Sequence, residues 1–219
     1  MSDINSTEAR RPLKVRQANS AQKFAAWLSA KNVHPNHISL FSIVFAVIAM
    51  LCLFLFARVE ASILFAIGAA LAIQGRLLCN LFDGMVAVEG GKSTPSGELF
   101  NDIPDRIADP LILIGLGYAA TQLPFNATLG WLAAVLAVLT AYTRTLASSI
   151  GAPIDFSGPM AKQHRMAVTT IACLAVALEV SIVGSRWSLS IALCLIIAGS
   201  ALTTARRARN AYRHLEQTK

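Results

Sequence analysis

The sequence predicts an all-α integral membrane bundle of six transmembrane helices, preceded by an N-terminal interfacial amphipathic helix. Three observations lead there. Only 14% of the 219 residues are charged and 55% are hydrophobic, whereas soluble domains carry roughly 25% charged residues. Six apolar stretches approach the ~20 residues needed to cross a bilayer, near 39–57, 61–82, 105–122, 127–147, 166–184 and 187–205. Lysine and arginine alternate between the connections, as the positive-inside rule requires of a multi-pass chain. The chain divides into a basic cytoplasmic segment with the interfacial helix (1–38), a six-helix membrane domain (39–206) and a basic cytoplasmic tail (207–219).

The elements follow in order. The stretch 20–31, SAQKFAAWLSAK, sets Phe24, Trp27 and Leu28 at helical spacing between Lys23 and Lys31. Such a helix suits the membrane interface, although a solvated lead-in would read alike. His34 and His37 flank Pro35 without metal-ligand company and are read as interfacial residues. The third span begins with Asp105, Arg106 and Asp109, and Pro104 suits its first turn, where a missing N–H costs little. Arg10, Arg11, Lys14, Arg16, Lys23 and Lys31 lie at the N-terminus, and Arg206, Arg207, Arg209, Arg213 and Lys219 at the C-terminus. The connections after spans two and four add Lys92, Arg106, Lys162 and Arg165, while the opposite face has Arg58 and Arg186. Both termini are thus expected in the cytoplasm, in an inner (cytoplasmic) membrane.

The net charge of +7 belongs to this topology, so no nucleic-acid partner is expected. Cys52, Cys79, Cys173 and Cys194 lie in apolar stretches without CxxC spacing and read as packing residues. The first 38 residues lack the apolar core of a cleavable signal. Glu179 reads as a helix-end carboxylate reaching the interface, and Asn126-Ala127-Thr128 as a sequon without a secretory context.

The acids are unevenly placed. Six of the twelve fall between 83 and 109: Asp83, Glu89, Glu98, Asp102, Asp105 and Asp109. A solvated loop explains Glu89 and Glu98 but suits Asp83 poorly, because Asp83 ends the apolar run LLCNLFDG. Arg76, Asn80 and Asp83 share one helical face, and Asn101, Asp105 and Asp109 share another if the helix is regular past Pro104. Two oxygen-rich faces at one membrane surface suit a hard cation such as Mg²⁺, which also binds substrate phosphates.

At these residues the chain resembles the CDP-alcohol phosphatidyltransferases, whose signature is D-x2-D-G-x2-A-R-x(7–9)-G-x3-D-x3-D. Here the chain reads N-L-F-D-G-M-V-A-V, EGGKSTPS, then G-E-L-F-N-D-I-P-D. Pro35-Asn36-His37-Ile38-Ser39 before span one, Arg144 near the end of span four and the loop SGPMAKQHR before span five also match family features. The resemblance implies transfer of a phosphatidyl group from CDP-diacylglycerol to an alcohol, with release of CMP. By position it places metal ligands at Asn80, Asp83, Asn101 and Asp105, with Asp105 also the general base. It places nucleotide contacts at Asp83, Gly84, Ala87 and Gly97, and an acceptor or phosphate pocket at Arg144, Lys162 and Arg165. It implies one or two Mg²⁺ or Mn²⁺ ions and a homodimer. The acceptor stays open among glycerol phosphate, inositol phosphate, serine and another lipid, and the donor could instead be a water-soluble CDP-alcohol.

The first and third signature aspartates are Asn80 and Asn101, and the signature arginine is Val88. Asn ligates through its carbonyl without ionic attraction, so the expectation is a weakened second metal site, or a single metal unless Asp102 or Asp109 turns inward. Lys92 or Arg76 could compensate for the lost arginine. Two other readings compete: a degenerate relative that binds nucleotide or lipid without turnover, and a small transporter. The transporter would need a polar path at the midplane and often internal repeats, and the sequence shows no internal repeat.

Overall fold

The computed structural model describes residues 18–59, 63–92, 94 and 96–217. Among them are seven helices: α1 (Asn19–Ala30), α2 (Pro35–Phe56), α3 (Ile63–Glu89), α4 (Gly97–Ala119), α5 (Asn126–Ser149), α6 (Lys162–Ile182) and α7 (Trp187–Gln217). Pro35 opens α2 at its first position, where it withholds no needed donor. His34 caps that helix, its Nδ1 accepting the Asn36 N–H at 3.3 Å. This gives His34 a local task that its position alone did not reveal.

Five helices among the described residues are long and apolar enough to cross a membrane: α2, α3, α5, α6 and α7. The 23-residue α4 is not among them, because Asp102, Asp105, Arg106 and Asp109 crowd its middle. It starts about two turns before the apolar stretch that suggested it. Pro104 therefore lies inside the helix, as does Pro110, not in the first turn. Each proline removes one N–H from the helical ladder.

Six helices close a ring. α2 packs on α3, α3 on α6, α6 on α7, α7 on α5, α5 on α4, and α4 on α2. The interior is rich in alanine, including Ala46, Ala49, Ala69, Ala133 and Ala137, so helices approach closely. α4 and α5 approach closely at a pair of glycines, where a Cβ on Gly117 would stand 2.4 Å from the Cα of Gly130. Large apolar side chains point outward instead: Leu64 is 76% exposed and Ile182 80%, with Leu71 and Leu178 similar. Arg76, Asp83, Asp105, Asp109, Arg165 and Arg207 are buried. Apolar outside and ionised inside is the arrangement of a protein bathed in lipid, where ionisable groups face the bundle interior.

The α1 helix packs on α3. Phe24 meets Phe82 at a ring-centroid distance of 4.7 Å and Trp27 at 5.6 Å. Phe24 and Trp27 are both about half exposed.

Candidate active site at one end of the helix ring

Helical periodicity aligns the charged side chains. On α3, steps of four and three residues put Arg76, Asn80 and Asp83 on one face. On α4 a step of four aligns Asp105 with Asp109. Lys162 and Arg165 occupy the first turn of α6, where the helix dipole disfavours cations. Their placement there needs compensation, and the α4 aspartates provide it.

The contacts form a chain of alternating charge. Lys162 pairs with Asp105 through Oδ2. Asp105 Oδ1 accepts from Arg76 Nη2 at 2.9 Å and from Asn80 Nδ2 at 3.1 Å. The same Arg76 nitrogen lies 2.6 Å from Asp109 Oδ1. Arg165 Nη2 donates to Asp109 Oδ2 at 2.8 Å, and its Nη1 donates to Thr140 Oγ1 and the Met160 carbonyl. Arg76 is fully buried, and its Nε and Nη1 have no acceptor among the described residues. A buried charge is tolerable only when paired. Arg76 therefore does not reach outward to replace the lost signature arginine; it is spent on Asp105 and Asp109. Lys92 Nζ donates to the Ser29 carbonyl at 2.9 Å, on α1.

The remaining predicted residues fall as follows. Asp83 is buried and accepts from Ser39 Oγ of α2 at 2.6 Å. Asn101 is exposed one turn before Asp105 on the same face, and its side chain makes no hydrogen bond among the described residues. Asp102 turns away from the cluster to Arg106 at 2.9 Å and Arg144 at 3.5 Å. Arg144 thus stands at the rim, its guanidinium 5.4 Å from the Phe156 ring. Gly84 and Ala87 continue the Asn80 face toward the end of α3. A Cβ on Gly97 would meet only Thr94 Oγ1, at an ordinary 3.6 Å, so packing within the chain does not require glycine there. The structure thus joins Asn80, Asp105, Lys162 and, through Arg76 and Asp109, Arg165; it leaves Asn101 and Arg144 at the edge. Among the described residues no three His, Cys, Asp or Glu side chains form a metal-binding group.

Sequence reasoning gave no site role to three participants. Ser39 was read only as part of the Pro35–Ser39 entry motif, and Thr140 is a polar residue in an apolar helix, a weak signal. Arg207 was counted only as tail charge, yet it is buried. It donates to the Ser157 and Thr140 carbonyls at 3.0 and 2.8 Å, fastening the loop before α6 to α5 and α7.

No sequence family pattern and no curated protein matches the chain. Solved structures do. With the phosphatidylinositol phosphate synthase of Mycobacterium tuberculosis bound to CDP-DAG, the TM-score is 0.73 at 19% identity, over 89% of this chain and 94% of that one. The same synthase with manganese and citrate gives 0.74 at 18% identity over 88% of each chain, and its apo form 0.70 at 19% identity over 87% and 95%. This chain has the fold of that synthase along nearly the whole length of both.

Proposed function

We propose that this chain is a CDP-alcohol phosphatidyltransferase of phospholipid biosynthesis, moving a phosphatidyl group from CDP-diacylglycerol to an alcohol acceptor and releasing CMP. The observation that carries the reading is the end-to-end likeness to a synthase solved with CDP-DAG bound. The signature-spaced residues Asn80, Asp83 and Asp105 also gather at one end of this ring.

The residues present fit one divalent cation. Asn80 Oδ1 accepts no hydrogen bond among the described residues, and Asp83 supplies a carboxylate from the same helix face. Oxygen donors of this kind suit Mg²⁺ or Mn²⁺, and the matched synthase is also solved with manganese. Such an ion, when bound, neutralises charge gathering on the diphosphate and makes CMP a better leaving group. Gly84, Ala87 and Gly97 leave room for the CDP moiety. Asp105 takes the proton of the acceptor hydroxyl while that oxygen bonds to the phosphorus nearest the lipid. The bond from that phosphorus to CMP breaks, and CMP leaves with the electron pair. Both oxygens of Asp105 are engaged, so Lys162 must yield one of them. An anionic acceptor held by Lys162 and Arg144 would draw that ammonium away. Arg165, buried on Asp109 and Thr140, holds this end of α6 behind Lys162 and completes the basic pocket for the acceptor.

In this reading α4 is the sixth span. Its 23 residues reach about 34 Å at 1.5 Å each, and Asp105 and Asp109 face cations inside the ring, not lipid. The site and both termini lie in the cytoplasm, α1 rests in the interface on Phe24 and Trp27, residues 39–206 form the catalytic membrane domain, and the chain is a homodimer.

The test is CMP release from CDP-diacylglycerol by purified protein in detergent, with Mg²⁺ or Mn²⁺ and a mixture of acceptors. Release should require both an acceptor and Asp105, and Asp105→Asn should lower it by about 10²- to 10⁴-fold, the usual worth of a general base. The internally paired aspartates favour one competing reading, a degenerate relative. CDP binding by folded protein without CMP release from any acceptor would establish it.

A further inference from the structure

The carboxylates at this end of the ring are already balanced. Asp83, Asp105 and Asp109 carry three negative charges; Arg76, Lys162 and Arg165 carry three positive ones, and five of these six side chains are nearly inaccessible. Both α4 aspartates are used on both oxygens. Asp105 faces Arg76 and Asn80 with one oxygen and Lys162 with the other; Asp109 faces Arg76 with one and Arg165 with the other. Asp102, the remaining nearby acid on α4, is held at the rim by Arg106 and Arg144. The oxygens left for a metal are Asp83 Oδ1, since Asp83 Oδ2 already accepts from Ser39 at 2.6 Å, the Asn80 amide oxygen and that of the neutral, exposed Asn101.

Resting on the function proposed above, we infer that the chain holds a single divalent cation, on Asn80 and Asp83. Lys162 and Arg76 supply Asp105 with the positive charge that a second cation would otherwise bring. Charge arithmetic favours one ion. A CDP-lipid diphosphate carries two negative charges, so one divalent cation added to the neutral cluster closes the sum to zero. A second would leave two uncompensated positive charges where burial makes unpaired charge expensive. The amides at 80 and 101 then fit as well, because carboxylates at those positions would make the cluster anionic without a second ion. Asn80 also donates to Asp105, which a carboxylate could not do.

The experiment counts Mn²⁺ on the purified full chain in detergent, by the paramagnetic resonance signal of the unbound ion. CDP-diacylglycerol is present and acceptor is omitted. One Mn²⁺ per chain is expected for the unaltered protein and for Lys162→Arg, which keeps the cation. Two are expected for Lys162→Gln combined with Asn101→Asp, which removes the cation and restores a carboxylate. Two ions on the unaltered protein would overturn the inference, as would a count of one in the doubly substituted chain. CMP release, measured separately, distinguishes the two proposals. Protein that releases CMP and binds two ions refutes the single-ion site alone; protein that neither binds Mn²⁺ nor releases CMP refutes both.

Discussion

The two ends of α6 each hold carboxylates, and they hold them by different means. At its start, Asp105 and Asp109 are gripped by Lys162, Arg76 and Arg165. About 25 Å along the helix, Glu179 pairs with no cation among the described residues. Its Oε1 accepts the Trp187 N–H at 2.7 Å, its Oε2 accepts the Ser188 N–H at 2.9 Å, and the hydroxyls of Ser185 and Ser188 donate as well. Glu179 therefore caps the start of α7, satisfying N–H groups that have no helical partner, rather than simply reaching the interface. Neutral donors fixed on a backbone make a static joint. Long cationic side chains make pairs that a charged ligand can compete for, a freedom the second end lacks.

Replacing one carboxylate at each end sharpens this contrast, and the charged end should suffer more. Asp109→Asn leaves Arg76 and Arg165 buried with one partner fewer. Breaking a buried pair from one side costs about 3–5 kcal/mol, so thermal unfolding in detergent should move to markedly lower temperature, with CMP release falling alongside. A shift no larger than that of a surface substitution would mean that water reaches Arg76 and that the cluster is not dry. Glu179→Gln keeps the shape and one acceptor oxygen. It should cost about 1 kcal/mol, in the range of a lost helix cap, and leave CMP release unchanged. A large loss of activity would break the comparison by making the far end part of the working site.

How legible this was in the sequence depends on the range of the interaction. The apolar stretches follow from local composition, and helices cover them, although α3 runs on to Glu89 and α7 through the polar tail to Gln217. The start of α4 did not, because Gly97–Asp105 is polar and carries Pro104, so nothing in hydropathy marks it as helix. Spacing put Asn80 with Asp83 and Asp105 with Asp109, since a helical face depends only on residues three and four apart. Which face meets which is a matter of packing. Arg76 finds Asp105 across 29 residues and Lys162 finds it across 57, and no local pattern carries that. Arg207 shows the same limit: among the described C-terminal arginines, Arg206, Arg207, Arg209 and Arg213, it alone is buried, because α7 packs on α5 at that level.

The smallest expected effect lies in the loop between α5 and α6, where Asp155 offers a third way of holding a carboxylate. Partial burial pushes its carboxyl up, but Asn210 Nδ2 at 2.9 Å and the N–H and hydroxyl of Ser157 donate to it. With the nearby Arg207 they bring it below the usual range. A group whose folded pKa is depressed adds stability that is complete above its unfolded value of about 3.9 and is lost as pH falls through the folded value. Acid should therefore loosen this loop first, and the onset should lie near pH 4. Hydrogen exchange across residues 150–161 should rise as pH is lowered from 5 toward 3, after correction for the intrinsic rate. In Asp155→Asn that rise should flatten, because the amide does not titrate. If the loop stays equally protected in acid, Arg207 and its two carbonyl bonds carry the joint without the carboxylate, and Asp155 is then a surface acid with well-placed neighbours.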